Sequence, residues 1–136
     1  MKKLLIISFV FIILFTFSKF CFSQNEFEMK FGDTTIIMKK YVFGLYKRGT
    51  NRDLDSAQLA KIQVAHLEHL TSLSKSGVLC IAGPFDGDND IRGVFIFNVK
   101  DIKEAEKYVL EDPAVKAGRL TYELYYWWAA KGSRLK

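Results

Sequence analysis

Apolar positions recur along residues 40–130 with two different periods, and each change of period marks the end of an element. Residues 41–46 are aromatic and β-branched, the composition of a strand, and Gly49-Thr50-Asn51-Arg52 ends them as a loop. Apolar side chains then step in threes and fours through Leu59, Ile62, Leu70 and Leu73, the spacing of one helix face. Asp55 with Gln58 three residues on predicts a capped start, and Gly77 predicts a stop near residue 75. Residues 78–82 and 91–99 read as two strands, the first closed by Gly83-Pro84 and the pair joined through the turn-rich residues 86–90 as a hairpin. Asp101 and Glu104 repeat the capping pattern and open a second helix to about residue 110. After Asp112-Pro113 and Gly118, residues 120–128 form the last strand.

The order β-α-β-β-α-β predicts an α+β, ferredoxin-like fold: an antiparallel sheet with two helices on one face. The strands are apolar on both faces, however. Val94 and Ile96 alternate with Phe95 and Phe97, and Tyr122, Leu124 and Tyr126 alternate with Tyr125 and Trp127. A bare apolar sheet face calls for a partner, and a second copy packed sheet to sheet is the simplest, giving a homodimer.

The ends of the chain change this picture. Met1-Lys2-Lys3, then the apolar residues 4–17 broken only by Ser8 and Thr16, then Ser18-Lys19 and Cys21-Phe22-Ser23 have the layout of a secretory signal over residues 1–23, cut before Gln24. The run falls short of the about 20 residues a membrane span needs, so no stable span is expected after cleavage, and the protein is expected to be exported, periplasmic or secreted. The alternatives are an uncleaved anchor and a lipoprotein on Cys21, the latter opposed by Lys19-Phe20 where small residues are required. Residues 24–38 read as a leader with a possible extra strand, 39–130 as the domain and 131–136 as a tail. Lys39-Lys40 and Lys47-Arg48 read as flanks of a strand.

Removing residues 1–23 takes Lys2, Lys3 and Lys19 and no acid, lowering the formal net charge from +5 to +2. So small an excess gives no electrostatic reason to expect nucleic acid as a partner. Cys80, in the run Val78-Leu79-Cys80-Ile81-Ala82, would be left without an intrachain disulfide partner and reads as a small buried hydrophobe.

Two ionisable residues interrupt the apolar pattern. His66 sits in the middle of the stripe of Leu59, Ile62, Leu70 and Leu73, and at about 100° per residue it points at the sheet. A buried imidazole needs a partner for at least one ring nitrogen. Asp112, at the end of the second helix on the same side, can supply it. The carboxylate would fix the tautomer and leave the other nitrogen to take or give a proton. The alternative is structural: a satisfied core histidine, and an Asp that merely caps a turn with Pro113 at its first position.

Ala65-His66-Leu67, Gly77-Val78-Leu79, Ala82-Gly83-Pro84-Phe85, Arg92-Gly93 and the phrase from Asp112 through Ala114-Val115-Lys116-Ala117-Gly118 to Arg119 resemble the YCII-related (YciI-like) domain family over roughly residues 40–130. The resemblance implies a dimeric ferredoxin-like α/β-barrel with a His–Asp pair in a pocket, which would fall on His66 and Asp112. The signal segment, the leader and the Trp127-Trp128 end depart from the short form of that family.

Other signals weigh less. His66 and His69 lack a third ligand of metal-site type, so no metal and no cofactor is expected. Asp86, Asp88 and Asp90 imitate a calcium loop, but Ile91 and Phe97 stand where Gly and Glu are required. The aromatic end of the last strand reads as dimer core ahead of a floor for a flat ligand. The expectation is a small exported enzyme, lyase- or isomerase-like, acting on a small cyclic or aromatic molecule. His66 and Asp112 would be catalytic, and Gly83, Pro84, Phe85, Arg48 and Arg92 would contact the substrate. The rival reading is a non-catalytic module that binds a small ligand or accessory protein.

Overall fold

The structure, a computed structural model, describes residues 25–135. The expected signal segment, its cleavage before Gln24 and Cys21 lie outside the described residues. Within the described residues five strands and three helices follow one another: β1 (Glu26–Phe31), β2 (Thr34–Arg48), α1 (Ser56–Lys75), β3 (Leu79–Pro84), β4 (Ile91–Phe97), α2 (Ile102–Glu111), α3 (Pro113–Lys116) and β5 (Leu120–Ala130). The sheet is antiparallel, with β2 flanked by β5 on one side and β4 on the other, and β3 outside β4. This is the ferredoxin-like order.

The first strand differs from its expected extent. β2 begins at Thr34 and pairs along Thr34–Lys39 with β1, so Lys39 and Lys40 lie inside a strand rather than flanking one. Both are accommodated by partners: Lys39 faces Glu26 at 3.7 Å, and the Lys40 ammonium lies 4.9 Å from the Tyr126 ring centre. Glu26 is also bound by Lys131 at 2.9 Å, which ties β1 to the residues after β5. Likewise β3 runs through Gly83 and Pro84 instead of ending before them. As an edge strand it can place Pro84 where no ladder donor is missed.

The helix ends follow the sequence closely. Asp55 accepts from Gln58 N at 2.8 Å while Gln58 Oε1 accepts from Asp55 N at 3.0 Å, a complete capping box. At α2, Asp101 accepts from Glu104 N at 2.9 Å, but Glu104 turns to Lys100 N instead.

The core lies between the sheet and the helices: Val42, Tyr46, Leu79, Phe95 and Phe97 from the strands against Leu73, Ala105 and Val109. Gly44 makes room for it, because a Cβ there would collide with the Phe95 ring. Phe97, Phe95 and Tyr46 stack in succession at centroid spacings of 4.8 and 4.5 Å. On the opposite face Phe43 pairs with Ile96 and Tyr125, and Tyr125 and Trp127 are about half exposed. Cys80 is exposed rather than buried. It follows the buried Leu79, and the alternation of the strand turns it to the other face.

Candidate active site

The buried side chains of α1 are His66 and Leu73. The rest of its predicted apolar stripe, Leu59, Ile62 and Leu70, lines an open cleft of about 560 Å³ between the helix and the ends of β3 and β4. Small residues create that space: Ala60, Ala82, Gly83, Gly93 and Ala114 all line it, and a Cβ on Gly93 would press on Gly83 O at 2.9 Å.

His66 stands at the buried end of the cleft, with 9% of its surface exposed. Its Nδ1 lies 2.7 Å from Asp112 Oδ2 and 2.9 Å from Oδ1. Asp112 is fully buried, and every donor it meets is fixed by an element. Tyr46 on β2 gives its hydroxyl to Oδ2 at 2.7 Å, and Ala114 N at the start of α3 gives to Oδ1 at 2.8 Å. Asp112 therefore serves at once as the cap of α3 and as the partner of His66, joining the two roles that the sequence offered as alternatives.

The electrostatics follow from this wiring. Burial works against ionisation of Asp112, but the hydrogen bonds from His66, Tyr46 and Ala114 outweigh it and hold the carboxyl below the usual carboxylate range. Burial first, and then the Asp112 charge, push the Tyr46 hydroxyl far above its usual range, so it remains a donor. An ionised Asp112 can only accept, so the bond to His66 requires Nδ1 to carry the proton. Tyr46 packs edge-on against the imidazole at 5.4 Å and 75°, which fixes the ring plane. His66 Nε2 makes no hydrogen bond among the described residues, and no buried side-chain nitrogen or oxygen is left unpartnered, so this nitrogen is open to the cleft.

Of the other residues singled out from sequence, Gly83, Pro84 and Arg92 line the cleft, whereas Phe85 and Arg48 stand outside it. Phe85 is about half exposed. Arg48 is drawn to the β3–β4 turn, where it meets the Asp88 carboxylate that also receives Arg92 Nη1 at 2.9 Å. His69 Nε2 donates to Tyr108 O at 2.9 Å, bracing α1 against α2. Among the described residues no group of three or more His, Cys, Asp or Glu side chains is arranged to hold a metal ion. The aromatic end of β5 does not line the cleft: Trp127 lies by Phe43 and Tyr41 on the open sheet face, and Trp128 meets Phe27 edge-on at 4.8 Å.

Sequence reasoning passed over Tyr46, Arg52 and Arg119, all of which line the cleft. Tyr46 carried a usable signal, since it follows Val42 and Gly44 on the inward face of β2, and a buried phenol hydroxyl needs a partner.

A family model of the YCII-related domain matches residues 40–128. Among solved structures, 5-chloro-2-hydroxyhydroquinone dehydrochlorinase from Burkholderia phenoliruptrix AC1100, in complex with 2,5-dihydroxybenzoquinone, is 25% identical. That match covers 63% of this chain and 92% of its own, with a TM-score of 0.48. Muconolactone isomerase is 12% identical over 71% of this chain and 96% of its own, with a TM-score of 0.55, and shares the fold. A search of curated proteins found no match.

Proposed function

The chain belongs to the YCII-related domain family, and from that premise and the geometry of its cleft we propose that it is a small-molecule enzyme of lyase or isomerase type, with His66 as the proton-transfer residue. The observation that carries this reading is the asymmetry of the imidazole: Nδ1 is held by a buried carboxylate at 2.7 Å, and Nε2 is open to a cleft large enough for a small ring. Nε2 takes a proton from a carbon or hydroxyl of the substrate, and Asp112 stabilises the resulting imidazolium and keeps the ring oriented. Gly83 and Pro84 form one wall. Reprotonation at another position gives an isomer, and departure of a β-substituent gives elimination.

The fully satisfied Asp112 favours one competing reading, in which the pair is a fold staple and the cleft only binds. Deuterium incorporation separates the two. A panel of cyclic and aromatic carbon acids is incubated with the protein in D₂O and followed by NMR. Exchange of a C–H that is lost in His66→Gln, with the fold retained, is the expected result; retention of exchange in the variant, or exchange by neither protein, contradicts proton transfer by His66.

The same proposal includes export after loss of residues 1–23, a leader of residues 24–38, a domain of residues 39–130, a tail of residues 131–136 and a homodimer formed through the open sheet face. No helix among the described residues is long and apolar enough to cross a membrane.

A further inference from the structure

Three arginines line the cleft: Arg52, Arg92 and Arg119. Arg92 is compensated by Asp88, which also receives Arg48. Arg52 and Arg119 make no salt bridge among the described residues. Of the acids nearby, Asp55 caps α1 through Gln58 N, Asp88 is shared by the other two guanidiniums, and Asp53, next to Arg52 in the chain, forms no salt bridge with either arginine.

Two uncompensated cations do not stay together unless something holds them, and here the backbone does. Gly49 N donates to Arg119 O at 3.0 Å, Asn51 N to Gly118 O at 3.0 Å, and Asn51 Nδ2 to Ala117 O at 2.9 Å. The loop carrying Arg52 is thus zipped onto the turn carrying Arg119. The approach is close enough that a Cβ on Gly49 would collide with Gly118 O, and Gly118 itself adopts a φ of +67°. The cost of this crowding is visible in Arg52, whose pKa is lowered first by desolvation and then by the charges of Arg119, Arg48 and Arg92, with Asp88 pulling the other way. Positive charge held together without a counter-charge, beside an apolar wall, is the pattern of an anion site.

We propose that the Arg52–Arg119 end of the cleft binds the oxyanion of a small organic acid whose apolar body lies against Leu59, Ile62 and Leu70 and reaches His66. This rests on the cleft being a small-molecule site and goes further by naming the class of molecule. A carboxylate or a phosphate monoester presents the same chemistry, two oxygens matched to the forked donors of a guanidinium.

The test reads binding alone, so it holds whether or not the protein turns anything over. Benzoate, phenyl phosphate and the uncharged benzyl alcohol are titrated into the full chain and followed through backbone amide shifts. One or both anions are expected to shift the signals of Arg119 and His66, to bind about tenfold or more tightly than benzyl alcohol, and to weaken as salt is raised. Their ratio tells carboxylate from phosphate. Arg52→Gln and Arg119→Gln are each expected to lower anion affinity about tenfold; Arg52 is exposed, so at least that variant keeps the fold, which a melting curve verifies. Equal binding of benzyl alcohol, undiminished anion affinity in both variants, or no binding of either anion at millimolar concentration would overturn the proposal. Loss of proton transfer in the deuterium experiment with anion binding intact would leave this site standing and remove only the enzymatic reading.

Discussion

Asp112 links stability and chemistry at the scale of single residues. Because its folded pKa lies below that of an unfolded carboxyl, about 3.9, its contribution to stability is complete above that value. It is lost as pH falls through the lower folded value. Tyr46→Phe removes one of the hydrogen bonds responsible. The variant is expected to lose about 1.5–3 kcal/mol near neutral pH, the range for a bond to a charged group. Its acid unfolding is expected to move to higher pH as the Asp112 pKa rises toward the ordinary one. Melting temperatures between about pH 2 and 7 check both parts, and an acid limb that coincides with wild type would disprove the wiring. The sequence showed His66 and Asp112 because each broke a pattern: an ionisable residue in an apolar stripe, and an Asp-Pro at a helix boundary. Tyr46 gave only the weaker signal of an inward position on β2, since an aromatic residue is ordinary in a strand, and its role depends on a hydrogen bond spanning 66 residues.

Among the elements, capping residues and periodicity located α1 and α2 to within a residue or two, because those signals are local. The strand ends were less legible: whether Lys39 and Lys40 lie in β2 depends on β1 and β5 lying beside it, which no local rule reports. Helical spacing also showed which face of α1 turns inward, but not that most of this face would border a cleft. That depends on Gly83 and Gly93 across the gap. Arg52 and Arg119 illustrate the same limit, being 67 positions apart in sequence and joined by the backbone bonds between the residue 49–51 loop and the residue 117–119 turn. Gly49→Ala tests that junction. Its methyl group has no room beside Gly118 O, so a loss of about 1–3 kcal/mol is expected on the scale of overpacked sites. Denaturant unfolding measures it, and an unchanged midpoint would show that the junction is loose.

At the scale of the whole molecule, the open sheet face exposes large apolar side chains. Phe43, Ile96, Tyr125 and Trp127 share it, with Cys80 exposed close by. A second copy packed there would cover these side chains and make the barrel implied by the family's fold. Wild-type protein is expected to sediment as a dimer with a slowly reacting Cys80. Trp127→Arg, which sets a charge in that face, is expected to give a monomer whose thiol reacts faster. A wild-type monomer in sedimentation would refute the pairing. The two-faced apolar pattern of the strands is the local signal for this pairing, whereas the partner's position is a property of two chains. The proposed chemistry depends above all on one ring, and the most direct measurement is a long-range ¹H–¹⁵N correlation spectrum of His66 in the native protein, with and without benzoate. The wiring through Asp112 predicts a proton on Nδ1 and a bare Nε2 in the neutral ring, with the Nε2 signal moving when the cleft is filled. A proton found on Nε2 of the neutral ring, or an Nε2 signal indifferent to a ligand seated in the cleft, would contradict it.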